Sequence, residues 1–476
     1  MFENVEEAER FIKKEDVDFI DLKFVDLFGG LHHLTVPANR IDRKFCENGV
    51  GFDSSSVPGF KSVEAGDMVL VPDLETGFMD PFYDDKTLSF LCKIHDANNR
   101  EPYIRCPRNI ALKAEKYMQS TGIADQSKWG PELEYYLFDE ADFSQQPLLS
   151  FYRINTDQVS DGICDEKSTG YKLNGTSGYH ANPPHDTLAD IRNETAKIME
   201  ECNIPVKYHH HEVGIYGQVE IEIEFGNPVE MGDAVIVGKY IAKMVARRHG
   251  KTATFMPKPI YGQAGTGMHF HQHLFKDGEP LFYDEDGYAG LSDLALSYTA
   301  GLLKYAPEIL SLTNPSINSF KRLIPGYEAP VSLFFGLANR SSAVRIPKYA
   351  NQAETKRIEF RPPDGTCNPY LAISAMLLSG IKGIEEELDI EEEGFGPYDQ
   401  NLFAEENKEI LENIQSLPES LSKALAKLEK KNYFLTENNV FTEDIIKTWI
   451  KYKRENEIEP MKIYPTPYEF KLYYNS

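Results

Sequence analysis

The sequence lacks an excess of positive charge. Its 476 residues contain 75 Asp and Glu against 50 Lys and Arg, which gives a formal net charge of -25. Nucleic acids and anionic membranes attract proteins that cluster Lys and Arg on their surface. We therefore expect neither a nucleic acid nor a membrane among the partners of this protein.

Closely spaced cysteines are also lacking. The six cysteines are scattered along the chain and no Cys-x-x-Cys occurs. Zinc knuckles and disulfide frameworks both require cysteines at short, regular spacings, so neither is indicated. Reduced cysteines are typical of the cytoplasm, which is the location we expect.

Long apolar runs are missing as well. The chain starts with an acidic segment rather than a basic one followed by apolar residues, and its most apolar stretch, residues 370–384, is interrupted by serine, glycine and lysine. A secretory signal needs the first pattern and a membrane helix needs about 20 apolar residues. We expect no signal peptide and no membrane span.

Two common nucleotide-binding motifs are incomplete. Gly250, Lys251 and Thr252 end like a P-loop, but Val245 stands where that motif needs its first glycine. Gly262, Gly265 and Gly267 precede a histidine-rich strand rather than a helix, so they do not form the dinucleotide fingerprint. Any nucleotide must therefore bind by another mode.

Four segments place acids, histidines or arginines at alternate positions. Residues two apart share one face of a strand, so each segment predicts a polar face and an apolar face. The positions are Glu132 and Glu134; Glu220, Glu222 and Glu224; His269, His271 and His273; and Glu359 with Arg361.

So many carboxylates on one face predict bound cations, because buried charges are costly unless they are compensated. A single such pair is more often the exposed face of a strand, and Glu222, Glu224 and His273 stay open between the two interpretations. Carboxylates with histidine and no thiolate favour Mg²⁺ or Mn²⁺. Alternate strand residues are about 6 to 7 Å apart, so they suit two or more neighbouring ions. Such clusters support phosphoryl transfer.

A cluster of arginines follows in the sequence. Planar guanidinium groups bind phosphate and carboxylate groups in a bidentate manner, so this cluster indicates an anionic substrate beside a nucleotide. Each arginine alone is more often a surface ion pair. The members, which share one window with Glu328, are Arg322, Arg340, Arg345, Arg357 and Arg361.

The chain is long enough for two domains, and its pattern changes near residue 105. Before that point, short strand-like runs alternate with turns, and after it residues 109–120 and 190–202 have helical spacing, as do Leu421, Leu425 and Leu428. We expect an α+β fold with domains 1–105 and 106–476. Residues 141–178 have little periodicity and predict a long loop.

Several long motifs resemble type I glutamine synthetase. They are NSFKRLIPGYEAPV (318–331), NRSSAVRIP (339–347), RIEFRPP (357–363), HHHEV (209–213) and KTATFMPKP (251–259), and the similarity runs from Gly51 to Tyr474. The resemblance implies an N-terminal β-grasp domain, a catalytic domain with a half-barrel of antiparallel strands, and a dodecamer of two hexameric rings with active sites between subunits. It also implies ligation of ammonium to L-glutamate with ATP, through γ-glutamyl phosphate.

The resemblance implies a role for each matching residue. Glu134, Glu212 and Glu220 match the ligands of one metal ion, and Glu132, His269 and Glu359 match those of a second. Gly265, Arg322, Glu328, Arg340 and Arg361 match the substrate-binding positions, and Asp53, Glu328 and Arg340 the catalytic ones, with Asp53 supplied by an adjacent subunit. The nucleotide-binding positions are Lys207, His271, His273, Arg340, Arg345 and Arg357.

Some positions depart from the family pattern. Ala264 stands where many members have Asn, His273 where Ser is common, Glu354 where Lys is frequent and Lys207 where an acid is common. Ala264 favours one alternative to glutamine synthesis, ligation of glutamate to an amine or polyamine, and a catalytically silent structural homologue is a separate third alternative.

Two other departures concern regulation. Phe403 replaces the tyrosine that some members adenylylate, and Ser62 replaces the arginine of feedback-inhibited members. A phenylalanine has no hydroxyl to modify, so we expect no adenylylation at this position. A regulatory protein or a small metabolite stays possible.

Overall fold

The structure is a computed structural model that describes residues 2–61, 66–159, 170–175, 177–324 and 329–476. The N-terminal region contains a mixed sheet with two helices. Its elements within the described residues are α1 (Val5–Glu15), β1 (Phe19–Val25), β2 (Leu31–Pro37), α2 (Arg43–Asn48), β3 (Val50–Asp53), β4 (Asp67–Pro72), β5 (Phe78–Asp80) and β6 (Thr87–Asp96). The strand order is β2-β1-β6-β4-β3, with β5 also on β6, and β1 runs parallel to β6 while the other pairs are antiparallel.

A larger sheet carries all four polar segments. The remaining described strands are β7 (Gln126–Phe138), β8 (Glu140–Gln146), β9 (Leu149–Asn155), β10 (Val206–His211), β11 (Gln218–Ile223), β12 (Thr252–Thr254), β13 (Phe270–Lys276), β14 (Glu279–Pro280), β15 (Ser332–Leu337), β16 (Ser342–Ile346) and β17 (Ile358–Phe360). The order is β10-β11-β7-β13-β17-β16-β15, with β12 on β7 and β14 on β13. Only the β15 and β16 pair is parallel among its described strands.

Helices cover this sheet and continue to the C-terminus. In the part of the chain that the structure describes they are α3 (Pro107–Thr121), α4 (Ala189–Glu201), α5 (Pro228–Arg248), α6 (Asp293–Thr313), α7 (Ser319–Arg322), α8 (Pro369–Glu385), α9 (Lys408–Asn413), α10 (Leu421–Lys430), α11 (Tyr433–Thr436), α12 (Glu443–Lys453), α13 (Glu459–Ile463) and α14 (Pro467–Tyr473). Asn227 and Glu230 form a capping box at the start of α5. None of the described helices is long and apolar enough to cross a membrane.

The apolar faces of the strands pack against these helices. Leu133 of β7 is buried between the polar positions that flank it. A Cβ atom at Gly238 of α5 would lie 3.1 Å from Leu133 and 3.2 Å from Met199 of α4, so glycine lets the helix approach the strand closely. The alternation of residue types thus places the charged side chains on the opposite face of the sheet.

The predicted α+β class is confirmed, and so are the N-terminal β-grasp fold and the curled half-barrel sheet. The predicted loop over residues 141–178 is wrong for its first part, because β8 and β9 form an antiparallel hairpin. The hairpin projects from the sheet and exposes apolar side chains such as Phe143 and Tyr152, which are 78% and 66% exposed. The loop was predicted because residues 141–178 are mostly polar and show little periodicity, so the strand pairing had no clear signal in the sequence. Residues 160–169 and 176 lie outside the described chain.

Candidate active site

Strand register brings the four polar segments together. Glu132 of β7 lies opposite Glu222 of β11, and Glu134 lies opposite Glu220. On the other side, β13 pairs with both β7 and β17, and His271 lies opposite Glu359. Residues that are directly opposite in neighbouring strands share a face. The predicted polar surface is therefore continuous across four strands.

We call one half of this surface the arginine side. Each of its acids contacts histidine or arginine side chains. It comprises Glu132, Glu359, His269, His271, Arg345 and Arg361. Glu132 Oε2 lies 2.6 Å from His269 Nδ1, and its Oε1 lies 2.9 Å from His271 Nε2. Arg345 and Arg361 each donate a hydrogen bond to Glu359. Both acids therefore have a compensating partner within the protein.

These partners control ionisation on the arginine side. Burial works against the charge of Glu132, but the imidazoles of His269 and His271 hold its pKa well below the usual range. Burial likewise opposes the charge of Glu359, yet Arg361, His271 and Arg345 lower its pKa to about 2. Both carboxylates are thus charged at neutral pH.

The other half, which we call the acidic side, consists of Glu134, Glu212 and Glu220. Burial raises all three pKa values, with a further rise from Glu212 at Glu134 and from Glu132 at Glu212, and the pKa of Glu220 is raised well above its usual range by burial, Glu132, Glu134 and Glu212. Glu134 accepts hydrogen bonds from Gly267 N at 2.8 Å and Gln218 Nε2 at 3.1 Å. His210 Nε2 lies 3.2 Å from Glu220 Oε2. The negative charge here exceeds what the neighbouring side chains offset.

Among the residues that the structure describes, three sets of ligand atoms are close enough to share a cation. In each set the atoms lie within 4.8 Å of one another, and the residues are Glu132, His269 and Glu359; Glu132, Glu222 and His271; and His210, Glu212 and Glu220. The first set matches a predicted metal site. In the third set His210 takes the place predicted for Glu134. Carboxylates and imidazoles suit Mg²⁺ and Mn²⁺. The raised pKa values on the acidic side indicate that the protein's own side chains do not fully compensate these charges, as a bound ion would.

Arg322 lies beside this cluster under two glycines. Its guanidinium donates to Pro362 O at 2.6 Å and Arg361 O at 3.1 Å, which fixes its position. A Cβ at Gly265 would lie 2.7 Å from Arg322 Cγ, and one at Gly267 would lie 2.7 Å from Arg322 Nη2. Only glycine allows the backbone to pass so close to this arginine. Arg361 also donates to Arg340 O at 3.1 Å, which connects the two predicted substrate residues.

Four predicted nucleotide residues lie at the opposite end of the sheet from Gly265. Arg357 donates to His271 Nδ1 at 3.3 Å, and its guanidinium carbon lies 5.4 Å from the centre of the Phe225 ring. His273 is buried against Phe225, with ring centres 5.2 Å apart. Burial, together with Lys128 and Arg357, lowers the pKa of His273 to about 3, so it is neutral. Lys207 binds Glu222 at 2.5 Å.

The predicted catalytic residue Asp53 stands apart from this arrangement. Asp53 ends β3 in the N-terminal sheet and is exposed, and its Oδ1 accepts a hydrogen bond from Ser55 N at 2.8 Å. That hydrogen bond lowers the pKa of Asp53. Glu328 lies outside the described residues, as does Ser62. Asp53 is thus a charged acid on an exposed strand end.

Sequence reasoning left Glu222 open and missed two further contributors to the site, His210 and Gln218. Glu222 is buried, with 2% of its surface exposed, and joins the cluster through Lys207 and His271. His210 alternates with Glu212, a signal that the same period-two rule could have used. Gln218 orients Glu134, but nothing in the sequence distinguishes it from other polar strand residues.

Comparisons with known proteins agree with this geometry. A family model described as the glutamine synthetase beta-grasp domain matches residues 16–97, and one described as the glutamine synthetase catalytic domain matches residues 104–473. The chain is 46% identical to a glutamine synthetase of Mycolicibacterium smegmatis over 475 residues, covering 98% of each chain. It is also 46% identical to one of Streptomyces coelicolor over 476 residues, covering all of both chains.

A solved structure adds independent support for the fold. A Plasmodium falciparum glutamine synthetase superposes with a TM-score of 0.89 at 29% sequence identity, covering 99% of each chain. The fold and the site define an ATP-dependent ligase. The chain belongs to the glutamine synthetase family, and the predicted ATP-dependent synthesis of glutamine is confirmed. The family also implies a divalent metal ion.

Proposed function

We propose that the arginine side and the acidic side each hold one divalent cation, Mg²⁺ or Mn²⁺, and that the two ions serve one phosphoryl transfer. The observation that carries this proposal is that two of the three sets of ligand atoms, one on each side, share no residue and consist of buried or half-buried acids and histidines. Glu132, His269 and Glu359 hold the ion nearer the arginines. Glu134, Glu212 and Glu220, with His210 beside them, hold the other.

The ions supply charge neutralisation for the phosphate groups of ATP. The protein's own residues do the remaining work. Arg322 and Arg361 hold the carboxylates of glutamate, and Gly265 contributes a backbone contact to the same substrate. A carboxylate oxygen of glutamate attacks the γ-phosphorus of ATP, the bond to ADP breaks, and an acyl phosphate forms. Arg340 and Arg345 stabilise the charge of the transferred group, as preorganised guanidinium groups do.

The nucleotide occupies the end of the sheet where aromatic and basic side chains meet. Arg357 lies between the His271 ring and Phe225 and points a fixed charge at the phosphates. The neutral ring of His273 packs beside Phe225, which suits contact with an adenine base. Lys207 adds a cation at the rim, so the predicted nucleotide contacts form one continuous surface.

Ammonia completes the reaction. Its nitrogen attacks the acyl carbon, the carbon–nitrogen bond forms, and phosphate leaves as the carbon–oxygen bond breaks. Asp53 and Glu328 bind ammonium and accept its proton. The family resemblance assigns Asp53 to the active site of an adjacent subunit, and its position on the exposed edge of the N-terminal sheet fits that assignment.

Assembly follows from that assignment. A dodecamer of two hexameric rings would place each N-terminal domain, residues 1–105, against the catalytic domain, residues 106–476, of a neighbour. The exposed aromatic residues of α14 support further contacts between copies, since Tyr468 and Phe470 are 63% and 55% exposed.

An assay of ADP release tests the acceptor. The purified protein is given ATP, glutamate and Mg²⁺ with either ammonium or putrescine. We expect ammonium to be the better acceptor by far, because Asp53 and Glu328 are small acidic groups suited to a small cation. An equal or larger rate with putrescine would identify an amine ligase instead, and no ADP release with either would identify a silent homologue.

Regulation and location are less constrained. Phe403 has no phenolic oxygen, so control by adenylylation at this position is absent from the proposal, and a regulatory protein or a metabolite is the open alternative. The cytoplasmic location expected from the sequence stays a prediction.

A further inference from the structure

Lys207 occupies an irregular place on the edge of the large sheet. Val206 lies opposite Ile223, but the next paired residue, Tyr208, lies opposite Glu222, so the register shifts at Lys207. Consecutive residues of a regular strand point to opposite faces. A bulge relaxes that rule and re-aims a side chain, and such bulges are frequent beside active sites.

The bulge directs two consecutive side chains at Glu222. Lys207 Nζ lies 2.5 Å from Glu222 Oε2, and Tyr208 lies directly opposite Glu222 in the neighbouring strand, so their side chains share a face. Glu222 itself is 2% exposed, whereas the Lys207 side chain is 26% exposed. An ammonium group therefore reaches a buried carboxylate from the solvent side.

That carboxylate belongs to a set with cation-ligand geometry. Ligand atoms of Glu132, Glu222 and His271 lie within 4.8 Å of one another, and Glu222 Oε1 is 3.8 Å from His271 Nε2. The set shares Glu132 with the predicted ion of the arginine side. Two acids and an imidazole supply three protein ligands for a divalent ion, and water completes the coordination. The Lys207 ammonium already binds one of its acids.

We propose that Lys207 acts as a built-in cation that fills this third position, so that the protein binds two divalent ions where its acids could hold three. This inference rests on the two-ion arrangement proposed above and identifies Lys207 as the group that limits the number of divalent ions to two. Lysine is a compact point charge on a flexible stem, which makes it suited to this substitution. His271 Nε2 already faces both acids, at 2.9 Å from Glu132 Oε1 and 3.8 Å from Glu222 Oε1, so the imidazole needs no rotation to meet an ion.

Counting bound Mn²⁺ tests the inference without measuring activity. The free Mn²⁺ signal in electron paramagnetic resonance gives the number of ions bound per subunit of the full-length, nucleotide-free protein. We expect two ions for the wild type and three for Lys207→Met, because the methionine keeps the apolar stem and removes the charge. Lys207→Met combined with Glu222→Gln should return the count to two.

Two further variants control for general effects. Lys207→Arg keeps a cation in place and should stay at two ions. Lys197→Met removes an exposed lysine of α4 and should leave the count unchanged. A wild type that binds three ions, or a Lys207→Met variant that has the wild-type count, would overturn the inference. A wild type that binds fewer than two ions would instead reject the two-ion arrangement, while a gain of one ion in Lys207→Met would still support the role of the lysine.

Discussion

The arginine side and the acidic side of the site are equally buried but electrostatically opposite. Glu359 is 1% exposed and Glu132 9%, compared with 8% for Glu134 and 7% for Glu220. Yet the pKa values of the first two are lowered by arginines and imidazoles, whereas those of the other two are raised by burial and by neighbouring acids. Burial alone therefore does not decide whether a carboxylate carries its charge.

The difference indicates how the two halves are maintained before substrate arrives. Arg345 and Arg361 hold Glu359 in place through hydrogen bonds within the protein. The acids of the acidic side repel one another, and a bound cation relieves that repulsion. One half is preorganised by the fold, and under the proposed two-ion arrangement the other is organised by its cation.

The largest expected effect comes from Glu359→Gln. This change leaves the buried Arg361 and the half-buried Arg345 without a charged partner, and breaking a buried ion pair in this way costs about 3–5 kcal/mol. The thermal unfolding midpoint of the metal-free protein should fall, and the Mg²⁺ concentration needed for half-maximal activity should rise. Differential scanning fluorimetry in EDTA and a Mg²⁺ titration measure the two effects.

Leu133→Ala separates loss of charge from loss of packing. Leu133 lies on the opposite face of β7, and truncation of a buried leucine costs about 2–5 kcal/mol. Its stability should fall by a comparable amount while its Mg²⁺ requirement stays at the wild-type value. Unchanged Mg²⁺ dependence in Glu359→Gln would contradict the assignment of Glu359 to the metal site.

Glu220→Gln should have a smaller effect of the opposite sign. Removing one charge from the acidic side relieves repulsion, and one pKa unit corresponds to about 1.4 kcal/mol. The metal-free variant should therefore be about 1 kcal/mol more stable than the wild type, while the stabilisation gained on adding Mg²⁺ should shrink. Thermal melts with EDTA and with Mg²⁺ give both quantities.

Glu224→Gln is the matched control. Glu224 follows the same strand at the same alternating spacing, but it is exposed, so its stability and Mg²⁺ response should resemble the wild type. If Glu220→Gln is less stable than the wild type in EDTA, then the acids of the acidic side do not repel one another as their geometry indicates.

The sequence predicted the faces of these strands well, because alternation depends only on the chain's own period. Leu133 and Ile221 are buried as expected between their polar neighbours. Helix positions were close too: the pattern over residues 109–120 corresponds to α3, and that over 190–202 to α4. Local periodicity was sufficient to predict an element wherever neighbouring elements did not change which of its residues are buried.

What the sequence did not reveal depends on partners from distant segments. The burial of Glu222 follows from its register opposite Glu132 and from a bulge at Lys207, and neither has a local signal. The contrast between the two halves has the same origin, since the arginines that pair with Glu359 reach it from a neighbouring position and a neighbouring strand. A carboxylate's charge state is thus a property of tertiary structure rather than of its own segment.

The smallest effect concerns pH and sharpens the Glu220 comparison. The folded pKa of Glu220 is raised above its ordinary value of 4.5, so the folded protein binds this proton more tightly than the unfolded chain. The stability that the proton contributes is present below the unfolded pKa and is lost as pH rises through the folded pKa. Glutamine mimics the protonated acid at every pH.

In EDTA, the gain in thermal midpoint from Glu220→Gln over the wild type should therefore be near zero close to pH 5 and should grow as pH rises toward 8. Taking the difference between the two proteins cancels the buried histidines, whose lowered pKa values act in the opposite direction below pH about 6.5. Saturating Mg²⁺ should remove the growth, since an ion offsets the charge that the proton otherwise neutralises. A gain that is constant over this range would show that Glu220 keeps an ordinary pKa in the folded protein and that the acidic side is already compensated without metal.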